Sequence, residues 1–203
     1  MIGQLRPISK KLLLIISGNH EDRIYREVGL DISADIGKAL GIPYRPEGCL
    51  LKLSFGKGNS HHPEAPYVDW GYFTHGYGGA RTRGAKAVKV ERTGTYIEAD
   101  FYVMSHDHVT NVAPDISLRP DPRNHDVTLY EGEPTQLTIK QGRIISKRKM
   151  LIKSNAYLKW GGYAETGGFG PSDLETPLIT LTSEGSLIDK AIGRKHQKVL
   201  VTL

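Results

Sequence analysis

Three short apolar runs, at residues 12–16, 67–73 and 100–104, each lead into a block that carries histidine. The blocks are Gly18-Asn19-His20-Glu21-Asp22, Thr74-His75-Gly76 and Ser105-His106-Asp107-His108. Runs of this length bounded by turn residues read as strands buried in a sheet. The histidines therefore fall at strand ends, along one edge of that sheet. Strand ends hold short side chains rigidly, and imidazole together with amide oxygen suits zinc, manganese and iron. A lone histidine is more often a satisfied polar residue than a ligand, but four of the eight histidines share this placement, which favours a site.

Periodicity and breakers organise the rest as α/β. Apolar residues recur at helical spacing over 21–28 and 32–40, with Asp31 and Ser33 as caps and Gly41-Ile42-Pro43 as a stop. A strand is predicted at 49–55, followed by a turn-rich loop at 56–63, and a helix at 81–92. Short antiparallel strands are predicted at 116–118, 127–130 and 136–139. Residues 142–153 alternate apolar and basic side chains as a solvent-facing strand does, and 178–181 reads as a closing strand. No internal repeat or low-complexity tract interrupts the pattern.

A chain of 203 residues with 38% hydrophobic and 24% charged content can bury the core of one domain, which excludes a disordered polypeptide. The single cysteine, Cys49, lies in an apolar stretch. It excludes an internal disulfide framework and suits packing in a reducing cytoplasm. The run at 12–16 is too short for a signal peptide, and no run approaches the roughly 20 apolar residues of a membrane helix. A cytoplasmic protein without a membrane partner is the expectation.

The histidine blocks resemble the calcineurin-like metallophosphoesterase family, whose pattern runs Asp-x-His, Gly-Asp, Gly-Asn-His-Asp/Glu, a lone His, then Gly-His-x-His. The resemblance starts at the third block and covers roughly residues 10–183, with Ser105 standing where the family has glycine. It implies a partial metallophosphoesterase-type two-sheet β sandwich flanked by α helices over residues 1–183, and a basic tail over 184–203. It also implies two divalent transition metal ions, manganese, zinc or iron, in a complete site. Asn19, His75 and His106 would ligate one metal and His108 the other. His20 would sit beside the scissile phosphate, where imidazolium stabilises developing charge and protonates the leaving oxygen.

Residues 1–17 contain no aspartate and no histidine, so the family's two early blocks are missing. Without their bridging carboxylate, two dications about 4 Å apart repel with little to offset the repulsion. The expected protein is thus a fragment of a phosphoester hydrolase, a phosphatase or nuclease, that needs a complementary N-terminal half. Alone it would hold at most one metal. Strand edges left unpaired by the missing half predict self-association or pairing with that complementary chain.

The other polar residues carry weaker expectations. Glu21 and Asp22 would orient His20 or pair with Arg23, and Asp107 would point away from the ligands on an extended backbone. His61, His62, His125 and His196 read as surface residues. With a net charge of +5, the groups Arg81, Arg83, Lys86, Lys89, Arg92 and Arg143, Lys147, Arg148, Lys149, Lys153 would attract nucleic-acid phosphates or form solvated faces. Tyr77, Tyr157, Trp160 and Tyr163 would stack on bases or serve as core and rim. The alternative to the hydrolase is a non-catalytic basic module that binds nucleic acid or a partner and keeps a residual metal site.

Overall fold

A computed structural model describes residues 1–55, 66–80, 82–121, 126–128, 138–140, 142–156, 159–171, 174–182 and 198–202. His61, His62, Arg81, His125, Tyr157 and His196 lie outside them. The chain begins with α1 (Ile2–Leu5) and a 3-10 segment (Arg6–Lys11), then β1 (Ile15–Ile16), α2 (Asn19–Val28), α3 (Ile32–Leu40) and β2 (Tyr44–Arg45). β3 (Gly48–Phe55), β4 (Tyr67–Thr74), α4 (Arg83–Tyr96), β5 (Phe101–Met104) and β6 (Asn111–Pro120) follow. The remaining elements are β7 (Asp126–Thr128), β8 (Thr138–Lys140), β9 (Ile144–Lys153), α5 (Tyr163–Thr166), β10 (Leu178–Thr182) and β11 (Lys198–Thr202).

Local chemistry sets the helix ends. Asp31 Oδ1 accepts from the Ala34 amide at 2.9 Å to start α3, and its other oxygen accepts from Tyr44 Oη at 2.7 Å, tying α3 to β2. Gly29 and Gly41 close α2 and α3 in the left-handed conformation, where a Cβ would be strained.

The fold is mixed α/β, built on a five-stranded sheet in the order β3-β4-β5-β9-β6. β4, β5 and β9 run parallel, and β3 and β6 are antiparallel edges. Alternation along β5 sends Tyr102 and Met104 to one face, where they pack with Val90 of α4 and Leu151 of β9. Phe101 goes to the other face with Met150 and Ile152, beneath Ile179, Leu181, Val199 and Val201 of the β10–β11 hairpin. With both faces covered, β5 needs apolar residues at every position, which is why it reads as an unbroken apolar run. Among the described residues, no helix is long and apolar enough to cross a membrane.

Several expectations change. The apolar run at 12–16 contributes only Ile15 and Ile16 to a strand, paired in parallel with β2, and its Leu13 is exposed. α4 runs one turn past Arg92, and β6 extends over ten residues because it pairs along all of β9. β9 is solvent-facing only in its first half: residues 144–148 alternate exposed and half-buried side chains, whereas the last five residues are buried, four of them paired with both β5 and β6. The basic groups are not uniformly solvated, since Lys86, Lys89, Lys149 and Lys153 turn inward. Residues 198–202, within the stretch read as a tail, form β11 against β10.

Asp69 on β4 is buried, and its carboxyl is pushed up to about 6, first by burial and then by the nearby Asp100. The folded chain therefore holds this proton more tightly than the unfolded chain. The group's contribution to stability falls as pH rises from about 4 to about 6, then levels off. Asp69→Asn should raise the melting temperature relative to the native chain more at about pH 7.5 than at about pH 4. Paired thermal melts check this, and a pH-independent difference would contradict it.

Candidate metal centre

The parallel pairing of β4 and β5 brings the second and third histidine blocks together. Thr74 and Met104 are register partners at the ends of these strands, so His75 and the 105–108 turn leave the sheet side by side. The first block arrives at the start of α2, capped by Gly18 in an extended conformation. A Cβ on Gly18 would lie 2.5 Å from Glu21 Oε2 and 3.2 Å from His75 Cε1. Glycine is therefore what allows the helix to begin against His75, with the Glu21 carboxylate folded back over the cap.

Three donor atoms meet there. His75 Nε2 lies 2.8 Å from Asn19 Oδ1 and 3.1 Å from His106 Nδ1. His106 Nε2 donates to the Gly78 carbonyl at 2.7 Å, which leaves the Nδ1 lone pair aimed at the cluster when the ring is neutral. Ligands about 2.0–2.1 Å from one metal and at right angles to each other sit about 3 Å apart, so the spacings of His75 to Asn19 and of His75 to His106 are each those of neighbouring ligands on one divalent transition ion. Burial, then the neighbouring His106, holds His75 below the ordinary histidine value; burial, then Lys86, does the same for His108. Both rings are thus neutral near pH 7, as metal ligands must be. The donor set is two imidazoles and an amide; no group of three His, Cys, Asp or Glu side chains arranged for a metal occurs among the described residues.

The turn that carries His106 and His108 is under backbone constraint. His106 has φ 72° and His108 φ 52°, and the Asp107 amide donates to Ser105 O at 2.9 Å across a single residue. Positive φ is uncommon outside glycine, and an i to i+2 bond about a positive φ marks a strained γ-turn. Asp107 does not follow an extended backbone: it sits within this left-handed turn and lines the same pocket as His75, His106 and His108. Its carboxylate is buried, and Lys89 Nζ donates to Oδ1 and Lys153 Nζ to Oδ2, both at 2.6 Å. Lys153, at 0% exposure, also donates to Ser105 O at 2.8 Å. Burial pushes the Asp107 carboxyl up, yet hydrogen bonds from Lys153 and Lys89 and their charges outweigh it and hold the carboxyl below its ordinary value. Burial lowers Lys153, and Asp107 counteracts the shift.

His20 and His108 share the same pocket, about 410 Å³, but make aromatic contacts. His20 meets Tyr163 edge-on at 6.0 Å, and Phe169 stacks on His108 at 4.8 Å. Glu21 lines the pocket, whereas Asp22 pairs with Arg26 and Arg23 with Glu27, so neither acid pairs with Arg23. Sequence reasoning missed the Gly78 carbonyl, the Lys89 and Lys153 clamp, and Phe169. Lys153 did carry a signal, since it directly follows the apolar run Met150-Leu151-Ile152. No protein-family model matches the chain, and no curated protein or solved structure matches it either.

Asp107→Asn should cost about 3–5 kcal/mol of stability, because it leaves two buried ammonium groups without a counter-charge. In the fraction that remains folded, zinc affinity should fall about 10- to 100-fold through loss of ligand orientation. Urea unfolding and zinc titration measure the two effects separately. Native zinc affinity in the folded variant would remove the positioning role of Asp107.

Proposed function

We propose that this chain is the metal-holding part of a metal-dependent phosphoester hydrolase of the metallophosphoesterase type, a phosphatase or nuclease. The observation that supports this most is the convergence of Asn19 Oδ1, His75 Nε2 and His106 Nδ1, with His106 steadied from behind by Gly78. A backbone carbonyl holding the far nitrogen of a histidine is the usual outer partner of a metal ligand. These three residues would hold manganese, zinc or iron, which supplies Lewis acidity toward a phosphoryl oxygen. We read the sheet with its β10–β11 hairpin as part of that family's two-sheet sandwich. The working environment would be a reducing cytoplasm, where Cys49 remains a thiol.

The chain's own residues divide the remaining work. His20, in the first turn of α2 and on the pocket wall, would give a proton to the leaving oxygen. The start of α2 presents amide N–H groups and the positive end of its dipole to an anionic phosphate. His108 stands ready as a ligand for a second ion. Of the two carboxylates on the pocket wall, Asp107 is committed to lysines, which leaves Glu21. The negative ligands for a second ion would then come from a complementary chain or a second copy.

Zinc or manganese titration with elemental analysis should find one ion per isolated chain, lost in His75→Ala and retained in His20→Ala. Mixed with a chain that carries the Asp-x-His and Gly-Asp blocks, the protein should hydrolyse bis(p-nitrophenyl) phosphate. His20→Ala should then lower turnover about 10²- to 10⁴-fold with metal content unchanged. Failure to bind any metal would move the reading to the non-catalytic basic module. Two ions surviving dialysis on the isolated chain would refute this division of ligands between two chains.

A further inference from the structure

The pocket has two chemically different sides. At one, the Asn19, His75 and His106 cluster is backed by two buried ammonium groups that share one carboxylate, a net positive charge suited to a phosphate. At the other, Tyr163 and Phe169 line the wall with ring centroids 6.0 Å apart and planes inclined by 36°. His20 belongs to both sides. It follows Asn19 directly, and its ring meets the edge or face of Tyr163 at 77°. A group leaving the phosphorus toward His20 therefore emerges beside the aromatic pair.

The aromatic segment is held in place by its backbone. Ala164, the neighbour of Tyr163, is 3% exposed and anchors α5, while Tyr163 itself is 56% exposed. The Gly167 amide donates to Tyr163 O and the Phe169 amide to Ala164 O, each at 2.9 Å. Gly161, Gly162 and Gly168 supply the positive φ values this compact loop requires. Tyr163 is thus displayed on a backbone support, more than half exposed and on the pocket wall. Isolated exposed aromatics are ordinary. This one differs because it and Phe169 both touch imidazoles of the proposed site.

We propose that Tyr163, with Phe169 beside it, forms a stacking subsite for the base of a nucleotide, so that the site prefers nucleoside phosphates to phosphates of sugars or alkyl groups. The proposal rests on the phosphoester reading of the pocket and specifies its substrate class. A base has a flat π surface that suits an aromatic wall, and stacking on one aromatic side chain changes affinity by about five- to a hundredfold.

Calorimetric titration with AMP and with ribose 5-phosphate, in the presence of manganese, compares ligands that differ only in the base. AMP should bind at least about fivefold more tightly to the native chain. Tyr163→Ala should bring the ratio of the two affinities close to one, and Tyr163→Phe should restore it. Circular dichroism checks that both variants fold. Equal affinities in the native chain, no binding of either ligand, or an unchanged ratio in Tyr163→Ala would each overturn the stacking subsite. A chain that shows the AMP preference but gains no hydrolytic activity with the complementary blocks would overturn the hydrolase reading alone.

Discussion

The buried ion triad of Lys89, Asp107 and Lys153 is the constraint on which the site depends. It joins α4, the turn after β5 and the end of β9, so three separate parts of the chain must be in place before the turn can close. Two ammonium groups facing one carboxylate are costly to bury unless every donor finds an acceptor. Lys153 uses a further donor on Ser105 O, which ties the ion pair to the backbone of the turn itself. The ordering energy is thereby concentrated on a turn in which two non-glycine residues hold positive φ.

That strain has a use. With both His106 and His108 at positive φ, the turn departs from the strand alternation that would place their side chains by pleat alone. His106 then reaches His75 and Asn19, while His108 lies against Phe169. Strained positions of this kind persist when the surroundings over-determine them, and they gather at functional sites. The ion triad supplies the over-determination.

The same charges impose a compromise. Excess positive charge behind the pocket would attract a phosphate but oppose a dication, so a metal in the proposed site would rely on neutral lone pairs and on Glu21, which lines the same pocket. Such a centre would suit one ion, and negative ligands from another chain would strengthen it. The aromatic wall adds a third element, an apolar surface in the same cavity as the histidine cluster. Sheet order makes this possible: the parallel core β4-β5-β9 aims both the histidine blocks and Lys153 at the same edge.

Much of this was legible locally. The helices at 21–28 and 32–40, the Asp31 cap and the Gly41 stop follow from periodicity and turn chemistry, and the structure places them there. The gathering of Asn19, His75 and His106 could also be read, because each block follows an apolar run and the two later runs are adjacent strands. The run at 12–16 and the buried second half of the strand at 142–153 were misread for one reason: exposure depends on which elements cover a strand, and period alone does not report that. The inward lysines were hidden because Asp107 finds its partners 18 and 46 residues away, and no local pattern records a charge pair at such separation. The sequence by itself thus determined which residues stand at the strand ends. Only the tertiary structure decided which charges are buried, how the turn is twisted and which rings line the pocket, since these depend on long-range contacts formed when the sheet closes.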